Sequence, residues 1–145
     1  MSWFDKYIGI PYKYMGINPK TGLDCFNLCS YILQQECSFD IPYSSSDFCN
    51  IADDTWYNKT NKSFLQLAIN ERRSDFLWDK VSNPKCFDVI LINIGDTNVA
   101  NHCALYVGTN KIIHTMQNRP SFTSPYGNYY KQYTLGIYRW STLLS

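Results

Sequence analysis

A change of apolar period along the chain, together with one hairpin signal, predicts an α+β fold with N-terminal helices packed on a C-terminal antiparallel β-sheet. Between residues 22 and 36 the apolar spacing is helical: Cys25, Leu28, Cys29 and Ile32 fall at i, i+3, i+4 and i+7, one face of a helix. From residue 76 onward come short runs rich in β-branched and aromatic residues, FLWDKV, FDVILINI, HCALYVG, KIIHTM and TLGIYRW, bounded by Asn-Pro, Gly-Asp and Gly-Thr-Asn turn signals. Gly108, Thr109, Asn110 and Lys111 make a connection of hairpin length, so ALYVG and KIIHT are expected to pair as neighbours. Helices first and strands after, in a chain of 145 residues, fit a single domain over 1–145.

The elements follow in order. WFDKYI, residues 3–8, reads as a short amphipathic helix that Gly9 and Pro11 end, and INPKTG carries the dipeptides of consecutive turns. The central helix is expected from Cys25 to about Glu36, with Asp24 as its N-cap. Residues 38–53, rich in serine and aspartate and containing Pro42, read as an irregular connection. SFLQLAINERR, residues 63–73, opens on a capping serine and predicts a second helix that buries Phe64, Leu65, Leu67 and Ala68.

Composition narrows the function. A formal net charge of +1 with no basic block leaves no electrostatic footprint for nucleic acid. There is no apolar run of about 18 residues, so no membrane span is expected. MSWFDKYIGIPYKYMG lacks the basic start, apolar run and small-residue cleavage site of a secretory signal, which predicts synthesis in the cytoplasm without a signal peptide. The six cysteines are irregularly spaced and read mostly as free thiols. Cys25, Cys29, His102 and His114 could supply four zinc ligands, but the histidines lie much further apart than the usual spacing of about three to five, so no metal is expected.

The chemistry gathers on three residues. Cys25 stands where a loop becomes a helix, and the positive end of a helix dipole favours the thiolate form of a thiol placed there; a cysteine in that stripe is equally at home as core packing. The only two histidines, His102 and His114, sit at the start of one strand and near the end of the next, so the hairpin should bring them almost face to face. Nucleophilic catalysis by a thiol needs a base for its proton and a third group to orient that base, and Cys25, His102 and His114 can fill those roles.

GIPYKYMG, GLDCFNL, FDVILI, NHCALYVG and KIIHT, spread over nearly the whole chain, resemble the NlpC family of papain-like cysteine peptidases, which cut peptidoglycan stem peptides. The resemblance implies a papain-like fold without cofactor, with Cys25 as nucleophile, His102 as base, His114 as its orienting partner and Tyr12 beside the site. It implies the bond between D-glutamate and the diamino acid as the scissile one and the peptidoglycan stem peptide as partner. Asp24 is assigned either to the substrate site or to helix capping. The family continues Asp-Cys with Ser-Gly, whereas Phe26 and Asn27 follow here; Phe26 is expected to line the substrate groove or to turn into the core beneath the helix. Lys85, Cys86 and Phe87 replace a Pro-Gly turn, although Asp88 is kept. A compact, signal-less version without a wall-binding domain resembles modules of bacteriophage tails or lysis systems, which adds phage tail proteins as partners and a virion as location. Two alternatives stand beside a peptidase: a catalytically silent assembly module, for which Tyr126, Tyr129, Tyr130 and Tyr133 could form a surface, and an acyltransferase or amidase on the same fold.

Overall fold

A computed structural model describes residues 2–48, 63, 65, 66, 69, 76–95 and 99–142. A small hairpin of β1 (Ile17–Asn18) and β2 (Gly22–Leu23) leads into helix α1 (Cys25–Cys37). The main sheet comprises β3 (Phe76–Val81), β4 (Val89–Ile92), β5 (His102–Gly108), β6 (Lys111–Met116), β7 (Arg119–Pro125) and β8 (Thr134–Thr142). Its spatial order is β3-β8-β4-β5-β6-β7, with every adjacent pair antiparallel. Among the described residues no helix is long and apolar enough to cross a membrane.

Helix α1 begins where the Asp24 side chain accepts the Asn27 N–H at 2.8 Å, and it ends at Ser38, whose φ of 56° leaves the helical region. Its apolar stripe, Leu28, Cys29 and Ile32, is buried in the main core against β5 and β6. A second side of the helix is covered too. Residues 41–45 lie over Phe26 and Asn27: Tyr43 stacks on the Phe26 ring, and the Asn27 amide donates to the Gly16 carbonyl at 2.9 Å and to Ser45 Oγ at 3.0 Å.

The sheet has two unlike faces, because side chains alternate along each strand. Val89, Leu91, Cys103, Leu105 and Ile113 face α1 and join Trp78 and Trp140 in the larger core. Ile90, Ile92, Ala104, Ile112 and Ile137 form a smaller cluster on the opposite face, closed by Tyr126, Tyr130 and Tyr133. Each fully buried aliphatic side chain contributes roughly 1.5–3 kcal/mol, so the α1 face holds most of the stability. The β5–β6 hairpin turns through Thr109 and Asn110, both at positive φ, as a tight two-residue turn requires.

The α+β architecture and the five runs read from the sequence are all present. The N-terminal element is a 3₁₀ turn over Asp5–Tyr7. Leu65, Gln66 and Ile69 are helical, with Leu65 and Ile69 buried, while Phe64, Leu67 and Ala68 lie outside the described residues. INPKTG contributes to the β1–β2 hairpin rather than to free turns. A short helix, Asn128–Gln132, and the whole of β7 were not expected from the pattern. β7 carries Pro120 and Pro125, which interrupt a central strand but are tolerated at a sheet edge, where β7 lies.

Candidate active site

Cys25 is the first residue of α1 and is half-buried, with Asp24 before it and the core stripe behind it. Asp24 saturates most of the helix start: its carboxylate takes the N–H groups of Asn27 and Phe26, its carbonyl takes that of Leu28 at 2.9 Å, and Ser45 Oγ donates to it. Burial raises the Asp24 carboxyl to about 6, partly offset by those hydrogen bonds. The cap is therefore a satisfied structural group. Tyr12 is half-buried, and its backbone bridges to Leu23, two residues before Cys25 in the chain.

The histidines meet. His102 Nε2 lies 2.8 Å from His114 Nδ1, with the rings tilted at 57°. Their arrangement differs in one respect from the sequence expectation. Leu105 pairs with Ile113 and Tyr106 with Ile112, so this register continued sets His114 opposite Ala104, and the histidines are diagonal rather than direct neighbours on one face. Both are buried, His102 at 5 % and His114 at 0 % exposure. Burial, with His114 alongside, holds His102 well below the usual imidazole range. Burial pushes His114 down to about 4, and the Arg119 guanidinium adds to the effect. The pair is thus two neutral rings.

His114 is held on every side. Phe122, its cross-strand partner on β7, lies against the ring at 4.3 Å, Tyr130 meets it edge-on at 5.2 Å, and its Nε2 is 2.9 Å from Ser124 Oγ. Ser124 was not among the expected site residues, and the strand that carries it, with Pro120 and Pro125, gives no strand signal in the sequence.

The three cysteines Cys25, Cys29 and Cys103 sit together on the α1 face, where burial and the two neighbouring thiols push the Cys103 thiol well up. Among the described residues no group of three or more histidine, cysteine or acidic side chains is placed to hold a metal. Among the described residues no hydrogen bond joins Cys25 to His102; such contacts are often long without substrate and tighten when it binds. Phe26 takes the second of its two expected places. Its ring is 1 % exposed and stacked on Tyr43 beneath α1, and it offers no surface to a groove. The reason is the second layer over α1, which buries a helix position that lies off the apolar stripe.

A helix that opens on a cysteine and packs on an antiparallel sheet bearing a buried histidine pair defines the papain-like α+β class. A family model described as NlpC/P60 matches residues 9–139, and the chain belongs to that family. The chain is 26 % identical over 142 residues to the gamma-DL-glutamyl hydrolase of Bacillus subtilis strain 168, covering 96 % of this chain and 28 % of that protein's length. Among solved structures it resembles the NlpC/P60 domain of the peptidoglycan hydrolase SagA, with a TM-score of 0.56 at 18 % identity over 92 % of this chain and 90 % of that one. It also resembles NlpC2 of Trichomonas vaginalis, with a TM-score of 0.57 at 15 % identity over 94 % and 43 %.

Proposed function

We propose that this protein is a cysteine peptidase that hydrolyses the bond between D-glutamate and the diamino acid of peptidoglycan stem peptides. The observation that carries the reading is the buried His102–His114 pair, joined at 2.8 Å, in an NlpC/P60 chain whose central helix opens on Cys25. The likeness to a glutamyl hydrolase supports the choice of bond.

In this reading the Cys25 thiol attacks the amide carbonyl while His102 Nδ1, the ring nitrogen not used by the pair, accepts its proton. His102 then protonates the leaving amine. A water, deprotonated by His102, hydrolyses the thioester and restores the thiol. The developing oxyanion is placed against the N–H of Cys25. Asp24 occupies the N–H groups of Phe26, Asn27 and Leu28 in that first turn. Because His102 rests neutral, it is ready to act as a base rather than being tied up as an imidazolium.

Digestion of purified sacculi followed by mass spectrometry of the new termini tests the reading. Wild-type protein should release fragments that begin at the diamino acid, and Cys25→Ala should release none. Intact sacculi after wild-type treatment would favour an assembly module instead, and cleavage that persists in Cys25→Ala would exclude the thiol as nucleophile.

A further inference from the structure

We propose that Ser124, by accepting a hydrogen bond from His114 Nε2–H, is a positioning residue that keeps His102 in the tautomer whose Nδ1 is free to take a thiol proton. The proposal rests on the reading of Cys25 and His102 as nucleophile and base.

The geometry is a short chain of rings ending on a hydroxyl. His102 Nε2 is 2.8 Å from His114 Nδ1, and His114 Nε2 is 2.9 Å from Ser124 Oγ. Ser124 pairs with Ile112 and Phe122 with His114, so Ser124 is a diagonal neighbour of His114 on the same face of the sheet. The His114 ring cannot easily turn away, because Phe122 covers its face and Tyr130 abuts its edge.

A neutral imidazole has one nitrogen that donates and one that accepts. Two such rings joined by one hydrogen bond therefore share a polarity. In one arrangement His102 Nε2–H donates to His114 Nδ1, and His114 Nε2–H donates to Ser124 Oγ. His102 Nδ1 then carries a lone pair, and proton transfer from the thiol breaks the S–H bond and forms an N–H bond there. In the reverse arrangement Ser124 donates to His114 Nε2, His114 Nδ1–H donates to His102 Nε2, and the His102 proton sits on Nδ1. That ring cannot accept a proton on its free side.

Ser124 is half-buried and keeps some contact with solvent, so its own hydroxyl proton can go to water while its oxygen accepts from His114. Removing the hydroxyl would leave the first arrangement with a buried, unpaired N–H and the second with only an unpaired acceptor. A buried orphan donor is the less tolerated of the two. Loss of Ser124 should therefore tip the pair towards the unproductive tautomer without emptying the core.

The chain has only two histidines, so ¹⁵N-histidine labelling and long-range ¹H–¹⁵N spectra at pH 7 read both tautomers directly. Wild-type protein should show both rings protonated on Nε2. Ser124→Ala should show a shift towards Nδ1–H and a fall in kcat of roughly 10- to 100-fold with KM little changed, the usual size for loss of an outer-shell partner. Ser124→Thr, which keeps the hydroxyl, should restore both readouts. A wild-type spectrum with the His102 proton on Nδ1 would overturn the proposal, and so would Ser124→Ala with unchanged tautomers and turnover. The wild-type spectrum requires neither a foldable variant nor turnover. An inert wild-type enzyme would thus count against the peptidase reading alone, while the tautomers still decide the role of Ser124.

Discussion

Along β5 the side chains of Cys103, Leu105 and Val107 pack towards α1, while those of Ala104 and Tyr106 face the other way. The α1 face is an almost unbroken apolar core. The histidine face has a smaller apolar cluster and takes in buried polar groups: the two imidazoles and, at the far end of β4, Asp88 held by Arg139 through two 2.8 Å hydrogen bonds. One set of strands thus separates two tasks. The face that seals against the helix carries stability, and the thinner face can hold ionisable groups dry enough to control their protonation.

Substitutions in the β5–β6 hairpin should break this contrast most sharply. With His102 as base and His114 as its orienter, as proposed above, His102→Ala should abolish turnover, with a loss of about 10³-fold or more, whereas His114→Asn should leave a measurable remainder, since an orienting group can be partly replaced and a base cannot. Ile113→Ala, one residue from His114 but facing α1, should do the reverse. It should cost about 2–5 kcal/mol in urea unfolding and leave the folded fraction active. Equal activity losses in the two histidine variants would exchange the roles of base and orienter, and an inactive but fully stable Ile113→Ala would dissolve the division between faces.

A smaller effect separates the faces by pH. In the folded chain His114 binds its proton only near pH 4, against about 6.5 when unfolded, so the unfolded chain holds more protons between those values. Stability therefore falls as pH drops through that window, by about 3 kcal/mol at about 1.4 kcal/mol per pH unit, and His102, displaced the same way, adds to the loss. Asp24, at the mouth of α1, has the opposite sign. Its carboxyl is raised to about 6 from 3.8, so the folded chain binds the extra proton and gains stability as pH falls from about 6 to 4. Asp24→Asn, which retains a good N-cap, should steepen the acid loss, and His114→Asn should flatten it. Urea midpoints between pH 4 and 7 read both slopes, and a flatter profile for Asp24→Asn would remove the opposition between the two ends.

What could be read from the sequence divides along the same line. The α1 stripe, the hairpin and the histidine spacing follow from local periodicity and turn chemistry, and each is legible in a few residues such as Cys25, Leu28 and Ile32 or Thr109 and Asn110. Properties that arise from coverage by distant segments are not. Phe26 is buried because residues 41–45 lie over it, and the imidazoles are neutral because the tyrosines after β7 help to close their face. β7 itself was hidden by Pro120 and Pro125, and Ser124 with it, since a proline-bearing strand is recognisable only once its edge position is known.

The finest test concerns the turn that enters β4, where the two faces are anchored a residue apart. Phe87 packs its ring on Trp3 at 4.9 Å on the α1 side, while Asp88 accepts the Lys85 N–H at 2.7 Å and binds Arg139 on the histidine side. Phe87 has a φ of 78°, a region that favours glycine, at the position where the resemblance places the Gly of a Pro-Gly turn. Its N–H also donates to the Tyr106 carbonyl at 2.8 Å, so the backbone is fixed in that conformation. Phe87→Ala removes the ring but keeps the β-carbon that makes positive φ costly, by roughly 1–2 kcal/mol; Phe87→Gly removes both. The glycine variant should therefore unfold at higher urea than the alanine variant, by about 1 kcal/mol, the reverse of the order at an ordinary position. An alanine variant as stable as the glycine variant would mean that the turn can relax without the ring, and that Trp3 on the α1 side, rather than the Asp88 anchor opposite, imposes its conformation.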